Sequence, residues 1–236
     1  MIAGLQKMTL LDYPGKVACT VFLQGCNFRC PFCHNSGLLG ASDQPMLPEE
    51  ELLAFLRKRQ GLLDGVCITG GEPTLHTKFP ELLRKIRQLG YAIKLDTNGY
   101  RPDVLKSLAG EGLLDYVAMD IKNCPARYSE TAGVPNLNME KLEESIRFLI
   151  EGSLDYEFRT TVAEELHTPE DFQRMGQWFR TLCPEKQPKK IFLQAYTDRE
   201  SVLKPGLHAP KRDKMQEFLK EITPFVHSAQ IRGDAG

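Results

Sequence analysis

Cys26, Cys30 and Cys33 stand at positions i, i+4 and i+7 of the run Cys26-Asn27-Phe28-Arg29-Cys30-Pro31-Phe32-Cys33-His34-Asn35. Thiolates at this density suit a soft metal centre, and iron–sulfur clusters are held by cysteines, usually four. No fourth cysteine follows nearby: the next are Cys67, Cys124 and Cys183, each alone. A 4Fe–4S cluster on three cysteines leaves one iron with no protein ligand. That iron can bind a small molecule, which points to chemistry rather than to electron storage. Zinc would need a fourth ligand, and His34 sits directly beside Cys33, where adjacent residues converge poorly on one tetrahedral ion. Three packing cysteines are the plain alternative. Against it, Asn27, Arg29, Pro31, His34 and Asn35 make the run a polar loop.

The elements around this loop follow from hydrophobic periodicity. Residues 17–24 are β-rich, end at Gly25 and deliver the cysteines at the C-terminal end of a strand. Further strands are expected at 66–69, 91–97, 116–121, 156–162 and 191–196. Helices are expected from Pro48 onward, with Leu52, Leu53, Phe55 and Leu56 on the buried side, and then over 79–89, 102–109, 139–149 and 172–182. A last helix spans 215–222, residues 225–231 read as an extra strand, and residues 36–47 read as an exposed loop. Alternating β and α units imply a parallel sheet with right-handed crossovers. Six units are too few to close an eight-stranded barrel. Residues 1–236 therefore read as one domain, with a core over 17–197 and a C-terminal extension over 198–236.

Further polar clusters fall at the C-terminal ends of these strands, where a parallel α/β fold places its site. Thr69-Gly70-Gly71-Glu72-Pro73 follows the second strand, and paired glycines let backbone approach closely or simply turn the chain. Asp96-Thr97-Asn98-Gly99 follows the third, where every residue is also a turn former. Ala118 and Asp120 share one face of the fourth strand, and an inward Asp needs a partner. Asp96–Lys122 and Asp120–Lys122 are the ion pairs available. Arg159 shares its face with Thr161 and could fork onto a carboxylate, or pair with Glu157 or Glu164. Cys19, Cys67, Cys124 and Cys183 read as packing residues, and His76, His167, His208 and His227 as surface or loop residues.

The Cys-x3-Cys-x2-Cys spacing with Phe32 before the last cysteine resembles the signature of the radical S-adenosylmethionine superfamily. Gln24-Gly25-Cys26 and Cys33-His34-Asn35 resemble the activating enzymes of glycyl-radical enzymes. The stretch Lys7-Met8-Thr9-Leu10-Leu11-Asp12-Tyr13-Pro14-Gly15-Lys16 is most similar to the activating protein of anaerobic ribonucleoside-triphosphate reductase. The resemblance implies an α/β fold, an open partial (β/α)6 barrel of TIM type with a C-terminal helix and strand extension. It implies one 4Fe–4S cluster on Cys26, Cys30 and Cys33. S-adenosylmethionine would be bound with help from Phe32, Asn35, Gly70, Gly71, Glu72, Asp96, Thr97, Asn98, Asp120, Lys122 and Arg159. In pyruvate formate-lyase activating enzyme an Asp-Thr pair, a carbonyl and a second Asp hold a monovalent cation. Carried over, those ligands are Asp96, Thr97, the Ala118 carbonyl and Asp120. Residues 34–66 lack cysteine, so only one cluster is expected.

The same resemblance implies the reaction. A flavodoxin- or ferredoxin-type reductant supplies one electron, S-adenosylmethionine splits to methionine and a 5′-deoxyadenosyl radical, and that radical removes a glycine Cα hydrogen from a partner enzyme. The alternatives are a radical enzyme acting on a small molecule, such as a modified-nucleobase precursor, and an electron-transfer or regulatory cluster protein without turnover. With 30 basic and 31 acidic residues, the chain lacks the basic excess of a nucleic-acid or membrane-surface binder. Residues 1–11 hold no secretory signal, and no run of 18 apolar residues exists to span a membrane. Seven unevenly spaced cysteines form no disulfide framework, so the expected location is the cytoplasm.

Overall fold

The computed structural model describes residues 1–40, 45–198 and 201–233. Strands β1 (Ile2–Thr9), β2 (Ala18–Leu23), β3 (Gly65–Gly70), β4 (Ala92–Thr97), β5 (Tyr116–Asp120), β6 (Asp155–Val162), β7 (Ile191–Ala195) and β8 (Ala229–Arg232) follow chain order across the sheet. The pairs β2–β3, β3–β4, β6–β7 and β7–β8 are parallel. The architecture is therefore an open α/β sheet, as the alternating pattern implied. No helix among the described residues is long and apolar enough to cross a membrane.

By internal packing the chain forms two compact units, Met1–Asn27 with Gly37–Ala118, and Phe28–Ser36 with Met119–Gly236. In the first, helices α1 (Glu49–Arg59), α2 (Phe79–Gln88) and α3 (Pro102–Gly110) alternate with the strands. Leu52, Leu53 and Leu56 of α1 and Phe79, Leu82, Leu83 and Ile86 of α2 are buried, as are Val66, Ile68, Ile93 and Leu95 of the strands. Phe55 is only half-buried and carries the Arg59 guanidinium over its ring. Three acids open α1 and three basic residues close it, the charge order that suits a helix dipole.

Helices α4 (Tyr128–Ala132), α5 (Met139–Glu151), α6 (Pro169–Leu182) and α7 (Arg212–Ile222) belong to the second unit. Stacked rings join them to the sheet and to each other: Phe158 on Phe179 at 5.4 Å, and Phe172 on Phe218 at 4.9 Å. A Thr168–Asp171 capping box starts α6. The C-terminal extension supplies α7 and β8, and Arg232 of β8 forks onto buried Glu157 of β6 at 2.8 and 2.9 Å.

Four of the elements were not expected from the sequence. β1 pairs antiparallel with β2, and its two register shifts and three consecutive exposed residues hide the alternation a strand normally shows. α4 and the 3-10 turn Pro125–Arg127 before it are too short for a helical period. The segment expected as an exposed loop over 36–47 contains a 3-10 turn at Ser36–Leu38 and half-buried residues, while its residues 41–44 lie outside the described ones.

Candidate functional site

In the first unit the end of β3 packs against the end of β2. A Cβ on Gly70 would lie 2.4 Å from the backbone N and O of Leu23, and one on Gly71 would lie 2.0 Å from the carbonyl oxygen of Gly25. Gly70 also has φ +118°, which a residue with a Cβ rarely adopts. The two glycines are thus required by protein backbone: Gly71 and Glu72 donate their N–H groups to the Leu23 and Gly25 carbonyls at 2.8 and 2.7 Å. This contact fixes the chain one residue before Cys26.

Glu72 is completely buried. Its carboxylate accepts the Thr74 N–H and hydroxyl, the Thr97 hydroxyl at 2.8 Å and the Asn98 N–H at 2.7 Å. Burial pushes its pKa up, and the Asn98 and Thr74 donors and the Thr97 hydroxyl offset only part of the rise. Asn98 in turn donates from its side chain to Asn27 Oδ1 at 2.8 Å and lies 4.0 Å from Cys26 Sγ. The three motif ends of this unit, Gly25-Cys26, Gly70-Gly71-Glu72 and Thr97-Asn98, therefore form one hydrogen-bonded set.

Asp96 has a partner the sequence reading missed. Lys94, two residues earlier on the same face of β4, is 1% exposed and ion-pairs with the Asp96 carboxylate. Cys67, opposite Lys94 in the β3–β4 register, lies 3.8 Å from Lys94 Nζ and 3.7 Å from Asp96 Oδ1. The period-2 spacing of Lys94 and Asp96 was visible in the sequence, and it is the signal that could have found this pair.

The second unit gathers Phe32, Asp120, Lys122 and Arg159. Asp120 receives Arg159 Nε at 3.0 Å and Lys122 Nζ at 2.9 Å on its two oxygens. Burial alone would raise the Asp120 pKa, but the Lys122 and Arg159 charges bring it down to about 2. The Lys122 pKa is raised: burial opposes the charge, while Asp120 and the nearby Cys30 sulfur favour it more strongly. Its ammonium also lies 5.7 Å from the centre of the buried Phe32 ring. Of the ion pairs the sequence offered, Asp120–Lys122 forms. Arg159 takes Asp120, whereas Glu157 goes to Arg232 and Glu164 to Lys214.

The cysteine loop has its own clamps here. Arg29 donates its N–H to the Ala132 carbonyl at 2.9 Å, and Cys30 Sγ lies 3.7 Å from that same oxygen. Gly133, at φ +65°, sits where a Cβ would come within 2.1 Å of the Arg29 carbonyl oxygen. His34 Nε2 meets the Thr197 carbonyl at 2.7 Å, and the N–H of Lys204 bonds to the Pro31 carbonyl at 3.0 Å. The His34 side chain is thereby engaged by backbone. His167, read as a surface or loop residue, lies in the loop after β6 but is buried, with Nε2 against the Lys122 carbonyl at 3.0 Å. Desolvation lowers its pKa. Its ring lies 5.8 Å from that of Phe172 and its Nδ1 meets the Ala163 backbone at 3.3 Å.

None of the seven cysteines forms a disulfide. Cys26 and Cys33 are half-buried and Cys30 is buried, while Cys19, Cys67, Cys124 and Cys183 are buried as packing residues. Asn35 is half-buried and Ala118 is fully buried. Among the described residues, no three His, Cys, Asp or Glu side chains converge on a single ion position. A cluster whose inorganic core separates its thiolates needs no such convergence. The donor set fits that kind of group: three thiols outside any disulfide on a clamped polar loop, with an ammonium, that of Lys122, near Cys30. The oxygen ligands proposed for a monovalent cation fit less well. Asp96 is paired with Lys94, Asp120 with Lys122 and Arg159, and Thr97 Oγ1 donates to Glu72 while accepting the Gly99 N–H at 3.0 Å.

The profile of the radical SAM superfamily matches residues 20–175, which include the three cysteines, the Gly-Gly-Glu stretch, the Asp96 and Asp120 strand ends and Arg159. The chain belongs to the radical SAM superfamily. As a radical SAM enzyme it is 27% identical, over 98% of its length and 95% of the relative's, to a protein of Methanocaldococcus jannaschii that carries the assignment of glycyl-radical enzyme activating enzyme. It is 33% identical over 131 residues to the pyruvate formate-lyase-activating enzyme of Clostridium pasteurianum, covering 52% of each chain. It is 34% identical over 131 residues to a probable GTP 3′,8-cyclase of Thermococcus kodakarensis, covering 53% of this chain but 42% of the cyclase. The radical SAM fold is shared with a domain of a pyruvate-formate lyase-activating enzyme from Bacteroides vulgatus, at TM-score 0.57 and 22% identity over 72% of this chain and 99% of that one. Streptococcus suis SuiB, solved bound to S-adenosylmethionine, superposes with TM-score 0.67 and 14% identity over 91% of this chain and 52% of SuiB. The open α/β sheet is thus that of the partial TIM barrels of this superfamily.

Proposed function

We propose that the chain is a glycyl-radical enzyme activase and that its partner is an anaerobic ribonucleotide reductase. The observation that carries the first part is the full-length similarity to the Methanocaldococcus activating enzyme, which leaves little of either chain unmatched. The stretch from Lys7 to Lys16 supports the reductase as partner. Cys26, Cys30 and Cys33 would hold a 4Fe–4S cluster, which when bound would supply the one-electron reductive cleavage of S-adenosylmethionine from which the glycine hydrogen abstraction follows.

The chain's own residues bind and position. Asn98, placed beside Cys26 by Glu72, orients the first cysteine. Lys122 and Arg159 hold Asp120 ionised, so two cations and one anion leave a net positive site for the carboxylate of S-adenosylmethionine. Phe32 and Asn35 of the second unit, and Gly70, Gly71, Asp96 and Thr97 of the first, are each read as cofactor-binding positions from the family resemblance. No general acid or base is needed for this chemistry. The enzyme works in the cytoplasm with a flavodoxin- or ferredoxin-type reductant.

The test is anaerobic. The protein is loaded with iron and sulfide, reduced and given S-adenosylmethionine with and without the reductase. 5′-Deoxyadenosine together with a glycyl doublet in the partner's electron paramagnetic resonance spectrum is expected. Deoxyadenosine without the doublet would direct the search to a small-molecule substrate, the reading that the cyclase similarity over half the chain favours. Replacing Cys26, Cys30 or Cys33 by Ala should abolish both the cluster absorbance and cofactor cleavage.

A further inference from the structure

Asn98 is held in one orientation, and that orientation aims a donor at a cysteine. It is 6% exposed and stands in the turn after β4. The backbone N–H groups of this turn have acceptors: that of Asn98 goes to Glu72, that of Gly99 to Thr97 Oγ1 and that of Tyr100 to Asn98 Oδ1 at 3.0 Å. A backbone N–H can only donate, so the Asn98 atom facing Tyr100 is the carbonyl oxygen, and the other is the amide nitrogen. That nitrogen carries two hydrogens. One goes to Asn27 Oδ1 at 2.8 Å, and Cys26 Sγ lies 4.0 Å from the same nitrogen. The contact is long, as suits a thiol, whose sulfur is a weak acceptor. A thiolate on iron carries negative charge, and hydrogen bonds to charged acceptors are roughly twice as strong as neutral ones. The turn therefore presents a buried donor that a thiol uses poorly and a cluster ligand would use well. Glu72, Asn98, Asn27 and Cys26 all belong to the first unit.

We propose that the Asn98 side-chain amide sets the electron affinity of the centre through Cys26, as a positioning residue whose N–H raises the reduction potential. The proposal rests on the reading that Cys26 is a cluster ligand. An added electron makes the ligand sulfur more negative, so a donor aimed at it favours the reduced state over the oxidised one. Burial strengthens the effect, because a hydrogen bond away from water is electrostatically stronger. Removing the donor should therefore make the centre harder to reduce. Asn98→Ser keeps an oxygen for the Tyr100 N–H, and its shorter side chain withdraws the donor from Cys26. Asn98→Ala removes both functions. Cys26 has further contacts, and these are common to all three proteins, so the comparison isolates the amide.

The test is an anaerobic redox titration of the iron-loaded proteins, followed by the electron paramagnetic resonance signal of the reduced state. Iron content is measured first, so that loaded protein alone is compared. Both Asn98 variants should be reduced less readily by about tenfold in the reduction equilibrium, which is about 59 mV for one electron. A brace for the loop would change how much iron is held and leave the potential of the held iron where it was. Asn27→Ala is the control, because it removes the other partner of the amide and leaves the donor in place. Its reduction equilibrium should move by less than about twofold, well under the tenfold step. Equal potentials for the unaltered chain and Asn98→Ser would overturn the proposal. So would an Asn27→Ala shift as large as that of Asn98→Ser, which would assign the effect to a loosened turn. If Asn98→Ala takes up no iron, Asn98→Ser decides. If neither does, Asn98 is a brace and the proposal falls. An unaltered chain that takes up no iron fails the cluster reading itself and takes the proposal with it, whereas loaded proteins of equal potential fail only the role of Asn98.

Discussion

The Glu72 carboxylate accepts the Asn98 backbone N–H at 2.7 Å, so the turn after β3 holds the turn after β4. Asn98 then reaches Asn27 and approaches Cys26. A buried acid thereby sets the surroundings of the first cysteine through a residue that it orders. Glu72→Ala leaves two hydroxyls and two backbone N–H groups without their acceptor. The expected loss is about 3 kcal/mol of stability, from stranded donors in a buried place, read from the urea midpoint. Glu72→Gln keeps the shape and should lose less.

Gly71→Ala is expected to cost about 2 kcal/mol or more, because the added carbon meets backbone that cannot rotate away. The clash is with the Gly25 carbonyl at 2.0 Å. Gly37 has nothing within 4 Å of its built Cβ. Gly37→Ala is therefore the control. Thermal melting of both variants, with iron content after loading, checks the pair. Similar melting of the two would mean that the β3 end yields easily.

Asp120 gives an acid dependence with a definite sign. Its carboxyl is held at about 2 in the folded chain, below the ordinary 3.8. The folded state thus binds this proton more weakly than the unfolded state. The stabilisation is fully present above 3.8 and disappears as pH falls through about 2. Stability measured across that window should fall more steeply for the unaltered chain than for Asp120→Asn. Equal slopes would assign the acid sensitivity to other carboxylates.

What could be read from the sequence was whatever had a local period or a compact motif. The six central strands and the helices behind them follow from apolar spacing, and the cysteine loop follows from Cys26, Cys30 and Cys33. β1 escaped because Gln6, Lys7 and Met8 are exposed on a strand with shifted register. Lys94 escaped because a lysine within a strand reads as solvent-facing until its partner two residues on is counted. Gly70 and Gly71 were visible, but the backbone they meet, Leu23 to Gly25, lies more than forty residues earlier. Gly133 belongs to no motif at all, and only its contact with Arg29 gives it meaning.

Arg232 supplies a stability prediction far from the chemistry. Its guanidinium lies 3.7 Å from the centre of the Phe192 ring and forks onto Glu157, whose side chain is 1% exposed. Arg232→Met should cost about 3 kcal/mol, because it removes the guanidinium that forks onto a buried carboxylate. The double variant Arg232→Met with Glu157→Leu should recover most of the loss. Chemical denaturation of the three proteins checks this, and additive losses would argue against the pair.

The glycine contacts at Gly25 and Arg29 change the thermodynamics of loading. Ordering a backbone residue costs about 1–2 kcal/mol, and a loop that takes shape only around its metal meets that cost at the moment of binding. Here the Gly71 and Gly133 contacts fix the cysteine loop while the chain folds. A cluster bound to these thiols, as proposed, would meet a loop already in shape, as a casting meets its mould. Most of the enthalpy of sulfur–iron bonding remains available for retention, and circular dichroism of the backbone should hardly change when the iron enters.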